Sequence, residues 1–149
     1  MFSTLFTGPL HSITDKPMAL DEFARTMKRG GYLTYTNVTP AEMPHWVYYR
    51  FFPTARSNDL DRFWPGDRME SELSSRGFEV TVEIEYRRKA RRYSDLLDEF
   101  RNRDASQLWT ISEEEYQAGL ADVVNVLGRN LEDTFDDEMA LITLIARKR

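Results

Sequence analysis

Hydrophobic positions along this chain switch between two spacings, and the switches mark out its elements. Residues 2 to 6 (Phe-Ser-Thr-Leu-Phe) have strand composition, and Thr7-Gly8-Pro9 ends them because proline cannot donate to a ladder. After a loop to about Thr14, Asp15 reads as an N-cap with Pro17 in the first turn. Leu20, Phe23, Ala24 and Met27 then fall at i, i+3, i+4 and i+7, the spacing of a helix that buries one stripe. Gly30 suits a left-handed cap position after Lys28 and Arg29. Tyr32 to Val38 is aromatic and β-branched and reads as a strand, closed by Pro40 and Pro44.

From Ala41 to Pro65 the periodicity fails and aromatics and prolines crowd together. An irregular or mixed segment of this kind in a small protein reads as a lid or pocket wall. Asp67-Arg68-Met69-Glu70 has the spacing of a capping box and predicts a short helix stopped by Gly77. Phe78, Val80, Val82, Ile84 and Tyr86 alternate with Glu79, Thr81, Glu83 and Glu85, so this strand has one buried and one wet face, as at an edge or in an antiparallel pair. Ser94 to Arg101 reads as a helix with Leu96, Leu97 and Phe100 inside. Ser112-Glu113-Glu114-Glu115 is a second capping box, followed by the stripe Tyr116, Leu120, Val123, Val124 and Leu127 up to Gly128. Met139 to Ala146 is nearly all apolar and predicts a fully buried strand inside the sheet.

Composition narrows the function. At 149 residues the chain has the length of one domain, 1–149, with a real core. Charged residues make up 30 % and no apolar run approaches a bilayer span, while the N-terminus lacks a basic signal region and a cleavage site; a cytoplasmic location follows as the expectation. Cysteine is absent, which removes thiolate metal sites and cysteine nucleophiles, and only His11 and His45 carry imidazole. The net charge of -5 argues against a polyanion partner, although Arg87 to Arg92 is basic and Glu132 to Glu138 acidic. With no interleaved aromatics, the basic run reads as a solvated strand end rather than a nucleic-acid site. Asp21-Glu22 and Glu113 to Glu115 are explained by capping and the helix dipole; no metal site, P-loop or Ser-His-Asp arrangement is visible, and no catalytic residue is assigned.

The order of elements, with Leu10-His11, Asp15, Asp21-Glu22-Phe23 and Met27-Lys28-Arg29-Gly30-Gly31, resembles the C-terminal half of a class I S-adenosylmethionine-dependent methyltransferase. Arg29 stands where that family usually has proline. Phe51-Phe52-Pro53 with Asp59 and Arg62-Phe63-Trp64-Pro65, then Arg76-Gly77-Phe78, the Ser112 to Gly119 segment and Ile145-Ala146-Arg147-Lys148, are similar to later motifs of a subset of these enzymes, in the right order. The resemblance implies an α/β fold: a partial Rossmann-like methyltransferase sheet of strands equivalent to four, five, six and seven, in the sheet order four, five, seven, six. Flanking helices and a helical insertion before the last strand complete it.

The departure is as informative as the matches. The family's glycine-rich turn after strand one and the acidic residue after strand two are not in this sequence, and Met1 falls inside or just before strand four. The resemblance therefore implies a subunit of a methyltransferase assembly, a transferase active only when completed. It would contribute the substrate side, while a partner chain supplies most of the S-adenosylmethionine site. The alternative is a non-catalytic, methyltransferase-like regulatory or interaction subunit. Residual cofactor contact is expected at Thr7, Leu10 and His11, and contact with a small-molecule acceptor at His45, Trp46, Tyr49 and Phe52. The partner, covering the first strand's edge, is a separate N-terminal half, a full methyltransferase or a second copy, giving a heteromer or homodimer.

Overall fold

A computed structural model describes residues 10–149 and, as backbone, Ser3–Leu5. The outer parts of the first predicted strand, and Thr7 with its loop, lie outside the described residues. The chain divides into two compact units: Met1–Glu42, Arg62–Tyr86 and Ala140–Arg149 form the first, and Met43–Asp61 with Arg87–Met139 the second.

The first unit is built on a four-stranded sheet in the order β1-β2-β4-β3, from β1 (Ser3–Leu5), β2 (Tyr32–Val38), β3 (Phe78–Arg92) and β4 (Thr134–Lys148). β1 runs parallel to β2, and β2 runs antiparallel to β4 from the pair Tyr32 and Arg147 to the pair Val38 and Leu141. The apolar last strand thus lies inside the sheet and the alternating strand lies at its edge, as the sequence predicts. Helices α1 (Lys16–Thr26) and α4 (Gly66–Ser74) cover one face, where Leu20, Met69 and Leu73 pack on Leu33, Tyr35, Phe78, Ile142, Leu144 and Ala146. The opposite face is different. Ile145 is 43 % exposed, and the Thr36 and Thr143 hydroxyls meet there at 3.3 Å, so β4 is fully buried on one side only.

Local chemistry sets the boundaries. Asp15 caps α1 by accepting from the Met18 amide at 3.0 Å, with Pro17 in the first turn. The helix ends at Thr26, however, and Gly30, at φ +79°, serves a separate turn closed by the Gly31 amide on the Lys28 carbonyl rather than a helix cap. α4 begins one residue before Asp67, whose carboxylate accepts from the Arg68 amide instead of capping the helix. A Cβ on Gly66 would lie 2.9 Å from Ile142 Cδ1 and 3.1 Å from Val82 Cγ1, so a larger residue at this helix start would require those two side chains to shift.

The second unit holds α2 (Val47–Phe51), α3 (Pro53–Arg62, up to Asp61), α5 (Tyr93–Asn102) and α6 (Glu113–Leu127), with the distal parts of β3 and β4. The segment that looked irregular in sequence is therefore mostly helical. Leu96, Leu97 and Phe100 are buried as expected, and Ser112 caps α6 by accepting from the Glu115 amide at 3.1 Å. Val124 is 40 % exposed and leaves the predicted stripe, whereas Gly119 is buried. None of the described helices is long and apolar enough to cross a membrane.

Candidate functional site

The aromatic segment and the two charged runs of the second unit meet in one cluster. Trp46 stacks on Tyr48 with ring centres 4.2 Å apart and meets Tyr49 edge-on at 5.2 Å. The Tyr48 hydroxyl donates to one Glu99 oxygen at 2.5 Å, the other Glu99 oxygen accepts from Arg91, and Arg91 donates on to Asp137 Oδ2 at 2.9 Å. A tyrosine, a carboxylate, a guanidinium and a second carboxylate thus form one chain of charge-assisted bonds. Burial first, and then the bond to Glu99, push the Tyr48 hydroxyl well above its ordinary pKa. Burial works against the Arg91 charge, but its bonds to Glu99 and Asp137 outweigh it and raise the guanidinium pKa.

Two buried atoms of this cluster have no hydrogen-bond partner among the described residues, the donor Trp46 Nε1 and the acceptor Asp137 Oδ1. Leaving such a group unsatisfied ordinarily costs about 1–3 kcal/mol. Asp137, only 5 % exposed, also lines a hollow of about 190 Å³ with His45, Val47, Arg50, Tyr93 and Phe135. Tyr93 and Phe135 stack at 4.9 Å to form its aromatic wall. The hollow therefore offers an aromatic wall, an imidazole and carboxylate oxygens.

His45, Trp46, Tyr49 and Phe52, the expected acceptor contacts, all fall in this unit but in different surroundings. His45 is exposed on the hollow and Trp46 is 7 % exposed. Tyr49 is buried with its hydroxyl donating to Asp59 at 2.8 Å, and Phe52 has no exposed surface and packs edge-on against Phe100 at 5.1 Å. Glu99, Arg91 and Asp137 were not singled out in sequence. The signal was present as two runs of opposite charge, since Arg88 also pairs with Asp136 and Glu138, and Arg92 with Glu132.

In the first unit, Leu10 is 4 % exposed and its side chain belongs to the core. The His11 ring stacks on Phe63 at 4.6 Å, and its Nδ1 accepts from Asn37 Nδ2 at 3.3 Å. The Asn37 carbonyl oxygen accepts from the Val38 amide, which fixes the orientation of that amide. Leu10 is thus turned inward, and the His11 ring is bonded and stacked. The paired acids have ordinary partners: Asp21 binds Arg76, Glu22 binds Arg25 and Glu113 binds Arg103. Among the described residues no group of three or more His, Cys, Asp or Glu is placed to hold a metal ion.

No protein-family model matches the sequence, and no curated protein matches it. Several solved structures match the fold. A candidate methyltransferase from Bacillus halodurans superposes with a TM-score of 0.53 at 19 % identity, covering 95 % of this chain and 61 % of that one. The YcgJ protein from Bacillus subtilis gives 0.52 at 13 % identity over 96 % of this chain and 61 % of that one. The MccD protein gives 0.52 at 12 % identity over 97 % and 59 %. The chain spans about three fifths of the length of these structures, and its fold is that of a partial methyltransferase-like domain.

Proposed function

We propose that this chain is the substrate-side part of a methyl-transferring assembly, and that a second chain, carrying the glycine-rich strand-turn-helix, supplies most of the S-adenosylmethionine site. The observation that carries the reading is the sheet order β1-β2-β4-β3, with a parallel first pair and β4 inserted antiparallel to β2. In this reading β1, β2, β3 and β4 correspond to the fourth, fifth, sixth and seventh strands of a class I methyltransferase, and the partner continues the sheet beyond β1. The glycine-rich turn is not in these 149 residues. The assembly is cytoplasmic, with His11 and the Thr7 loop as the chain's remaining contacts to the cofactor.

Methyl transfer in this fold depends on holding a nucleophile in line with the sulfonium, so positioning groups matter more than acids or bases. His45 and Asp137, which line the hollow, are groups suited to that role. Calorimetric titration of S-adenosylmethionine into the isolated chain and into the purified complex tests the reading. Binding by the complex and not by the chain is expected; tight binding by the chain alone overturns the claim that the cofactor site is incomplete. A second reading, a regulatory subunit without catalysis, is favoured by the complete burial of Phe52, which makes part of the aromatic segment core rather than pocket. Absence of cofactor binding in the complex selects it.

A further inference from the structure

At the end of the sheet where β2 begins and β4 finishes, two distant stretches of the first unit bring four cations to one hollow. The antiparallel register sets Tyr32 beside Arg147. Backbone bonds fix the turn before β2 against the end of β4. The Gly30 amide donates to the Lys148 carbonyl at 2.8 Å, the Lys148 amide to the Gly31 carbonyl at 2.9 Å, and the Arg149 amide to the Gly77 carbonyl at 3.0 Å. The resulting hollow, of about 440 Å³, is lined by Arg29, Gly30, Glu79, Arg147, Lys148 and Arg149. Gly30, at φ +79°, leaves it open, since a Cβ there would meet nothing within 4 Å.

The charges on this hollow do not balance. Its lining side chains carry three guanidiniums, one ammonium and one carboxylate, in a chain whose net charge is -5. Elsewhere the arginines find carboxylates: Arg25 pairs with Glu22, Arg76 with Asp21 and Glu72, and Arg103 with Glu113. Among the described residues Arg29, Arg147, Lys148 and Arg149 form no ion pair, and the Arg147 guanidinium lies over the Tyr32 ring at 5.9 Å instead. Like charges held around a concave surface reinforce one another's potential and concentrate anions there.

We propose that this hollow binds a small molecule carrying two or more phosphate groups. One phosphate group brings close to two negative charges and three acceptor oxygens. Three guanidiniums, each with five N–H donors in a fork that matches phosphate, and an ammonium can use more than that, and a second phosphate supplies it. The volume falls in the range of small-molecule sites, about 300–1,000 Å³. No aromatic side chain lines the hollow, so it lacks the platform on which the bases of a single-stranded nucleic acid would stack. It lies at the opposite end of β2 from Asn37, the partner of His11, roughly 17 Å along the strand. The site is therefore separate from the proposed methyl-transfer role and does not depend on it.

The test is a calorimetric titration of the full chain with inorganic pyrophosphate, and in parallel with orthophosphate and citrate, at constant ionic strength. Saturable one-to-one binding of pyrophosphate, at least about tenfold tighter than that of the other two anions, is expected. Arg29→Gln and Arg147→Gln should each weaken it about tenfold. Arg129→Gln, which removes an exposed charge from the second unit, should leave it unchanged. Arg29 is exposed in the turn before β2, so its variant is expected to fold even if Arg147→Gln does not. Non-saturating heats, citrate binding as tight as pyrophosphate, or equal binding by wild type and Arg29→Gln would overturn the proposal. So would a short single-stranded RNA that binds more tightly than pyrophosphate through the same arginines.

Discussion

Gly119 on α6 and the Phe52 ring compete for one space: a Cβ on Gly119 would lie 2.4 Å from Phe52 Cε1 and 2.6 Å from the Phe51 carbonyl oxygen. The contact locks the aromatic segment onto the second helical layer of its unit, where Phe52 also stacks near Tyr116 at 6.2 Å. Glycine in mid-helix normally costs about 1 kcal/mol relative to alanine. Here that loss is outweighed by the close approach it allows.

Gly119→Ala should therefore destabilise the protein by about 1–3 kcal/mol, opposite in sign to the effect of helix propensity alone. Urea unfolding of the two proteins measures it. A variant as stable as wild type would show that Phe52 can move aside, and that the segment is looser than its packing indicates.

Arg91 and Arg88 form superficially similar ion pairs with the acidic run of β4, yet they should behave differently. Arg91 holds Glu99 and Asp137, the latter 5 % exposed, whereas the side chain of Arg88 is 66 % exposed, as are most of its partners' surfaces. Arg91→Ala leaves a buried carboxylate without its counter-charge and should cost about 3–5 kcal/mol. Arg88→Ala should cost far less, because its pairs are solvent-exposed. Equal losses in denaturant unfolding would mean that the chain from Tyr48 to Asp137 has no special energetic weight.

Tyr48 gives the stability a pH dependence on the alkaline side. Its folded pKa is raised, so the neutral hydroxyl is favoured in the fold while the unfolded chain ionises near pH 10. The contribution is complete below that value and is lost as pH rises toward the folded one. Tyr35, raised by burial, acts in the same direction. Urea midpoints from about pH 8 to about pH 11 should fall for wild type, and fall less steeply for Tyr48→Phe. Superimposable curves would place the alkaline sensitivity elsewhere.

The sequence disclosed the sheet well because its signals are local. Asp15 caps α1, the period of two from Phe78 to Val82 marks β3, and the apolar run after Met139 lies inside the sheet. It disclosed the aromatic cluster poorly. Three of the four expected acceptor contacts are largely buried, and Phe52 completely so, because aromatic density signals packing as readily as a pocket. The network beneath Trp46 joins residues 46–48, 91, 99 and 137, and no local pattern spans such separations. The two charged runs were legible singly, but their pairing depends on the tertiary fold.

The last prediction concerns the face of the sheet opposite α1 and α4. Sheets with parallel strands are normally covered on both faces, yet here Ile145, Thr36 and Thr143 are presented on a face where Ile145 remains 43 % exposed. If a second chain continues the sheet at β1, its helices fit this apolar and hydroxyl-bearing face better than a charged surface would. Ile145→Asp should change the stability of the isolated chain by no more than about 0.5–1 kcal/mol, because the site is already wet. The same charge beneath a partner helix would be desolvated, and should weaken the complex at least about tenfold. Co-purification followed by mass identification and a titration of the purified partner measures this. Undiminished binding of a partner bearing the glycine-rich turn would restrict the interface to the edge of β1, and a partner lacking that turn would remove the basis for a completed cofactor site.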